Sequence, residues 1–377
     1  MKTPKSFSRI IAFFKKETVL CIAAVLAAGS MCFVLPDRGY LEYPDYRVLA
    51  LLFGLMLVVA GLQGIGLFRY LGSRFLERIR DTRQLGFLLM ALCFFSSMII
   101  TNDVALITFV PFAVMTLEMA GQSKRLIHVV VLQTIAANLG SMLTPIGNPQ
   151  NLYLYTRFEL SMGDFLKYML PLALLSLVLL TAAVALPGRE ALTAARSERT
   201  QAPDGRKLAV YILLFLVCLA CVLRLLTWSV MLTVLVVTVL FVDRKLFGKV
   251  DYFLLLTFLC FFLFIGNAGR IPAVSVMLRK LIEGRELPVG VALSQVISNV
   301  PAAILLSGFT DSARALLYGV NIGGLGTLIA SLASVISYRL YGNSQGARKG
   351  AYLKAFTLYN AAFLAVLYAA AALLLRN

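Results

Sequence analysis

Thr101-Asn102-Asp103 interrupts the apolar run LGFLLMALCFFSSMIITNDVALITFVPFAVMTLE, residues 85–118. An acid at that place can serve in three ways: it ligates a hard cation, it takes up and releases a proton, or it caps the helix that follows. A second apolar run, 287–309, carries Ser298-Asn299-Val300 at the corresponding place, with Pro301 next. Two further segments mix helix breakers with donors and acceptors. NLGSMLTPIGNPQN, 138–151, supplies Asn138, Gly140, Ser141, Thr144, Pro145, Gly147, Asn148, Pro149 and Asn151; NIGGLGT, 321–327, supplies Asn321, Gly323, Gly324, Gly326 and Thr327. Unwound backbone offers carbonyl oxygens to a cation, and half-helix N-termini offer N–H groups to an anion. The residue types therefore point to a site for a polar solute and an ion, set at membrane depth.

The elements that must hold these residues follow from composition. Of 377 residues, 60% are hydrophobic and only 14% charged, which excludes a soluble two-domain protein. The apolar runs suit helices and lack the alternation of an outer-membrane barrel, so the fold class is an all-α polytopic membrane protein. Full spans fall at about 18–35, 48–69, 127–157, 166–186, 208–226, 229–243, 252–268, 314–337 and 355–375. The run 85–118 is too long for one crossing, since a single helix would be about 50 Å long in a core about 30 Å thick. Two short helices meeting at Thr101-Asn102-Asp103 resolve this as a re-entrant hairpin, and 287–309 reads as its counterpart. The glycine and proline clusters make 127–157 and 314–337 discontinuous, with residues 138–150 unwound between half-helices at about 127–137 and 150–157.

Charge sets the orientation. With the N-terminus inside, 24 of the 35 Lys and Arg residues fall in cytoplasmic segments, including the basic N-terminal flank 1–17. The net charge of +17 is thereby explained without a nucleic-acid partner. Residues 187–207 form one polar cytoplasmic linker near the chain's centre, dividing an N-terminal half, 1–186, from a C-terminal half, 208–377. Asp45-Tyr46 matches Asp251-Tyr252, Asn102 matches Asn299, and Asn138 matches Asn321, in the same order. The expected topology runs the first Asp-Tyr span inward and the second outward, so the halves are inverted repeats. The total is about nine transmembrane helices, two re-entrant hairpins and two discontinuous helices.

The remaining reactive residues are less informative. Six cysteines lie in apolar runs without disulfide or zinc spacing, and Cys218-x-x-Cys221 lacks the context of a redox motif. His128 sits beside Lys124 and Arg125 at the cytoplasmic interface. Arg224 lies near a span end, from which it can snorkel, and Arg270 lies in an outside loop. No catalytic His/Cys pair and no nucleotide-binding motif is present, so the chain reads as no enzyme, needs no cofactor, and takes its energy from a gradient of Na+ or H+ or from a separate ATPase subunit.

TNDVALITFVP, ANLGSMLTPIGNPQN, SNVPAAI and GVNIGGLGTLIAS together resemble the ion transporter superfamily, specifically the citrate-transporter-like or divalent anion:sodium symporter permeases and their arsenite-pump and sodium/proton-antiporter relatives. The resemblance covers about 45–340. It implies a dimerising scaffold and a moving domain built from the two hairpins and two broken helices. It also implies that Thr101-Asn102-Asp103 and Ser298-Asn299-Val300 contact substrate and line sodium sites, with Asn102, Asp103, Asn138, Asn299 and Asn321 as the candidate Na+ ligands. An acid and a valine stand where dicarboxylate members carry threonine, and the Asn-Asp pair is closer to the arsenite-pump and antiporter branches. A fixed anion at the tip repels a dicarboxylate unless it is protonated or covered by a cation. The expected activity is thus secondary active transport of a small anion or organic acid by alternating access in a bacterial-type inner membrane. The alternative is a cation/proton antiporter or arsenite-type efflux permease using Asp103. The expected partners are a small anionic solute, membrane lipid and a second copy of the chain.

Overall fold

Capping side chains and helix breakers divide the apolar chain into its elements. The computed structural model describes residues 17–76, 79–191 and 201–376, with seventeen α-helices among them. The basic flank 1–16 and the middle of the linker, 192–200, lie outside the described residues. The first half contains α1 (Thr18–Met31), α2 (Tyr46–Gly64), a short α3 (Leu67–Leu76), α4 (Thr82–Ile100), α5 (Asn102–Met119), α6 (Leu126–Ser141), α7 (Pro149–Arg157) and α8 (Met162–Ala185). The second adds α9 (Gly205–Val222) and then repeats the order: α10 (Trp228–Val242), α11 (Tyr252–Arg270), a short α12 (Pro272–Ile282), α13 (Glu286–Ile297), α14 (Asn299–Ser307), α15 (Ala313–Ile322), α16 (Leu332–Gly342) and α17 (Lys349–Arg376). Of these, α2, α4, α5, α8, α9, α11 and α17 are long and apolar enough to cross a membrane. Exposed Leu213, Val237 and Phe241 would be a liability in water and suit a lipid-facing surface. The protein is an all-α polytopic membrane protein.

The three landmarks shared by the halves adopt matching local conformations. Asp45 caps α2 by accepting from the Val48 N–H at 3.0 Å, and Asp251 caps α11 by accepting from the Leu254 N–H at 3.0 Å. Thr101 joins α4 to α5 at φ 70°, ψ 151°, and Ser298 joins α13 to α14 at φ 75°, ψ 156°. Each break then passes through a short 3-10 turn, Pro145–Gly147 or Leu328–Ala330, into an extended residue, Asn148 or Ser331, that starts the next helix. Thr144 with Thr327 and Asn148 with Ser331 keep the 183-residue offset of Asn138 with Asn321.

Three boundaries differ from the sequence expectation. The arms of the first hairpin are not short: α4 and α5 have 19 and 18 residues, while α13 and α14 have 12 and 9. Pro111 is accommodated inside α5 and does not end it. The first break starts at Met142 and not at 138, so Asn138, Gly140 and Ser141 are helical; the second runs from Gly323 to Ser331, leaving Asn321 helical. Gly140 explains the shift. A Cβ there would lie 2.1 Å from the Phe94 carbonyl oxygen, so this glycine serves the close approach of α6 to α4 and not an unwinding.

Packing sorts the helices into two groups. The hairpins and broken helices pack on one another: α4 on α6, α13 on α15, α16 across to α5 and α6, and α14 on α7. In the other group α1 packs on α11, while α9 and α10 pack on α2. Arg270 belongs to this group; it is tied to Asp37 at 2.7 Å and donates to the Tyr43 hydroxyl at 3.1 Å. The groups meet where α2 touches α7 and α11 touches α14. There Tyr153 of α7 lies against Phe258 and Phe262 of α11, with ring centroids 6.2 and 5.7 Å away, and its hydroxyl bonds Ser307 at 2.8 Å.

At the base of the first hairpin the chain after α8 folds back as a strap. The Thr82 N–H donates to the Glu190 carbonyl at 2.9 Å, and the Arg189 guanidinium pairs with Asp81 at 3.0 Å. The Glu190 carboxylate takes Lys124 at 2.9 Å, Arg125 at 3.0 Å and the Gln122 amide at 3.0 Å. Those three donors, Lys124 foremost, hold its carboxyl down to about 2 from an ordinary 4.5.

Candidate functional site

Both hairpin tips hold a non-glycine residue in a backbone region that is nearly reserved for glycine. Each such residue costs about 1–3 kcal/mol and persists where its surroundings over-determine it. The conformation turns the next residue, Asn102 or Asn299, inward: both are 5% exposed. Asn102 donates from Nδ2 to Asn138 Oδ1 at 3.0 Å, and Ser331 donates to the same oxygen at 3.0 Å. Asn321 donates to Asn151 Oδ1 at 2.7 Å and to its own helix at the Leu317 carbonyl, 2.9 Å. Asn138, in the first half, is thus bonded to the second break, and Asn321, in the second half, is bonded to α7.

Several carbonyls in and beside the breaks are used internally. Asn151 donates to the Ser141 and Thr144 carbonyls at 3.2 and 3.4 Å. Gln295 of α13 donates to the Gly323 and Leu325 carbonyls, each at 2.9 Å, and accepts from the Thr327 N–H at 2.8 Å. Thr144 donates to the Met98 carbonyl beside the first tip and accepts from the Gly147 N–H at 3.1 Å. Gly326, at φ 110°, makes the left-handed turn of the second break, and Gly324 leaves room for the Asn299 amide, which a Cβ would approach to 2.9 Å.

Asp103 stands apart from this network. It lies in the first turn of α5 but makes no capping bond; its own backbone N–H donates to Asn102 Oδ1 at 2.9 Å. Its Oδ1 has no hydrogen-bond partner among the described residues, and the same holds for Asn148 Oδ1 and Asn321 Oδ1. Simple capping, one of the three roles open from sequence, is thereby set aside for Asp103. The acid is half-buried and lines a cavity of about 270 Å3 with Thr101, Asn148, Pro149, Gln63, Lys249 and Asp251. Two carboxylates face one ammonium, a balance that favours a cation or a proton in company with any anion.

The structure brings only part of the expected constellation to this cavity. Thr101, Asp103, Asn148 and Pro149 line it; Asn102, Asn138, Ser141, Asn151 and Asn321 form the polar layer described above, with Ser141 accepting from Asn148 Nδ2 at 2.5 Å. Ser298 and Asn299 lie against the second break instead, where Ser298 donates to the Ala330 carbonyl at 3.3 Å, and Val300 is buried. Gln295, Ser331, Gln63 and Lys249 join the expected residues at the site. Asp251, in the sequence a landmark of the repeat, lines the cavity. Gln133 is a further addition; it is fully buried in α6 and donates to the Leu89 and Phe109 carbonyls at 3.4 and 3.2 Å, joining both arms of the first hairpin. A lone glutamine inside an apolar run is the signal for Gln133 and Gln295, and the 183-residue offset from Asn148 is the signal for Ser331. His128 hydrogen-bonds the Tyr359 hydroxyl at 2.9 Å, away from the cavity. All six cysteines are free thiols.

Comparison with known proteins adds a family. The family model described as "Citrate transporter" matches residues 10–315. "Uncharacterized transporter MJ0456" of Methanocaldococcus jannaschii is 32% identical over 297 residues, covering 78% of this chain and 81% of its own length. "Inner membrane protein YbiR" of Escherichia coli is 32% identical over 314 residues, covering 78% and 80%. "Silicon efflux transporter LSI3" of rice is 34% identical over 128 residues, covering 34% of this chain and 26% of its own.

Proposed function

We propose, from the premise that the chain belongs to the citrate transporter family and is a membrane transporter and not an enzyme, that it moves a small anion or organic acid, citrate- or dicarboxylate-like, together with Na+ or H+ by alternating access. The observation that carries this reading is Asp103: a carboxylate oxygen without a partner, at a strained hairpin tip, in a cavity shared with Asn148 and Asp251. A coupling cation or proton at Asp103 offsets the charge that would otherwise repel an anionic solute. The site-bearing group, α4–α7 with α13–α16, moves against α1, α2 and α9–α11, each group drawing helices from both inverted halves. We place the protein in an inner membrane with its N-terminus cytoplasmic and the second group at the interface of a homodimer.

Purified protein in vesicles tests this. Citrate or dicarboxylate uptake should require a Na+ or pH gradient, and equal uptake with both gradients collapsed sinks the coupled mechanism.

A second reading, cation/proton exchange or arsenite-type efflux at Asp103, is favoured by the pairing of Asp103 with Asp251 around one cavity. The silicon efflux activity in the rice relative's name lends it support. Cation-dependent proton flux without any carboxylate present, lost in Asp103→Asn, would select it. Flux retained in that variant would remove it.

A further inference from the structure

The Asp103 cavity is walled largely by apolar side chains, whereas a second cavity, at the other end of the same helices, is polar. It holds about 460 Å3 and is lined by Asp45, Arg47, Thr156, Arg157, Glu159 and Arg224, with no apolar side chain among them. Asn148 and Pro149 at the start of α7 line the Asp103 cavity, while Thr156 and Arg157 at its end line this one. Likewise Gln63 near the end of α2 faces the first cavity, and Asp45 and Arg47 at its start face the second. The two openings thus lie at opposite ends of one seam: the first cavity runs along α2 from Leu52 to Gln63, and the second begins beyond it at Arg47 and Asp45. Between them α2 packs on α7, and Leu51 and Tyr153, each four residues from an arginine of the second mouth, are buried.

Three guanidiniums reach this mouth from three elements. Arg47 is steadied by donating to the Cys221 carbonyl at 3.1 Å. Arg224 donates to the Leu160 carbonyl at 3.2 Å and lies 5.6 Å from the centre of the Tyr155 ring. Arg157 rides on the end of α7. None of the three forms an ion pair with Asp45 or Glu159, so three guanidiniums against two carboxylates leave a surplus of positive charge at the mouth. Thr156 adds a hydroxyl without a hydrogen-bond partner among the described residues. Planar guanidinium forks match carboxylate and oxyanion geometry in pairs of bonds, and a ring of like charge raises the local concentration of its counter-ion.

We propose that Arg47, Arg157 and Arg224 form a capture site for a small multivalent oxyanion, of the di- or tricarboxylate class, at the mouth opposite the Asp103 cavity. The ligand class rests on the anion-transport reading; the site itself rests on the arginines. Because Arg157 belongs to the group that carries the Asp103 site, while Arg47 and Arg224 stand in the α2–α9 group, relative motion of the groups opens and closes the fork. An anionic lipid headgroup carries similar chemistry, but the lining offers its tail no apolar wall.

Titration of the full-length protein in phosphatidylcholine nanodiscs with citrate, and separately with sulfate, tests the site. Arg157→Gln, which removes no backbone contact, should weaken citrate binding at least about tenfold with an unchanged melting temperature, and should flatten the salt dependence. Arg224→Gln should act in the same direction. In vesicles the same substitutions should raise KM while maximal velocity stays within about twofold, as expected of a site that binds without acting at the moving step. Affinity within about twofold of wild type in both variants, or no binding of either anion by the wild type, overturns the proposal. Citrate binding abolished when phosphatidylglycerol replaces phosphatidylcholine would assign the arginines to a lipid headgroup and overturn it as well. Arginine-dependent binding without transport of any anion would refute the function and keep the site; transport with an arginine-independent KM would do the reverse.

Discussion

The two hairpin tips share a backbone and differ in one side chain. Thr101 and Ser298 have the same left-handed φ, and the asparagines after them are equally buried, yet the next position is Asp103 in one tip and Val300 in the other. Shared geometry with divergent chemistry teaches that the turn and its asparagine are a mechanical requirement of the fold. Charge is then free to be placed on one side only. Asp103 faces a cavity and Val300 faces packed protein, so the asymmetry of the side chains follows the asymmetry of their surroundings.

The largest test of that contrast is at the charged tip. Asp103→Asn keeps the shape and removes the charge, and should lower coupled uptake in vesicles on the order of a hundredfold, while Val300→Thr at the other tip stays within about threefold. Comparable losses at both tips would mean that the turn and not the charge matters.

Next in size is the polar layer joining the halves. Asn138→Ala strands the Asn102 and Ser331 donors together and should cost about 2–4 kcal/mol of stability, read from denaturation in detergent; Asn138→Asp, which keeps the acceptor, should cost less.

Third, the equivalent glycines separate packing from unwinding. Gly140→Ala drives a methyl against the Phe94 backbone and should cost about 3 kcal/mol; Gly323→Ala, whose neighbours at 2.7 Å include the movable Ser294 hydroxyl, should cost about 1–2 kcal/mol. The reverse order would contradict the assignment of Gly140 to helix contact.

The smallest effect concerns the hairpin bases, one held by ion pairs and one by a hydroxyl-to-carboxylate hydrogen bond. The second base uses a bond from Thr310 to Glu286 at 2.8 Å, whereas the first uses the Glu190 strap. The depressed Glu190 carboxyl contributes stability that is full above its ordinary 4.5 and is lost as pH falls toward about 2. Melting curves of wild type and Glu190→Gln should therefore differ above pH 4.5 and converge as pH approaches 2. A constant offset throughout would show that the strap acts by packing alone.

Much of this layout was legible in the sequence because membrane chains are punctuated sparsely. Asp45, Asp251, Asn102 and Asn299 announced helix starts and tips by being polar in apolar runs, and the structure puts them there. Gly140 misled because glycine serves both to unwind a helix and to let two helices approach; only the position of Phe94, 46 residues earlier in the chain, decides between them. The Lys249 and Gln63 contribution to the cavity was hidden for a related reason. A charged residue at a span end reads as a solvated flank until tertiary packing turns that flank into a wall.

Hydrogen bonds that cross between the halves have a consequence for biogenesis. Asn138 waits for Ser331, which is made 193 residues later, and Asn151 waits for Asn321, 170 residues later. While the second half is still on the ribosome, the inserted first half exposes amide groups within the bilayer that only its own continuation can satisfy. Assembly is thus gated by completion of synthesis: a chain released early carries unpaired polar groups in lipid, the kind of feature by which a membrane quality-control protease could tell a fragment from a finished transporter.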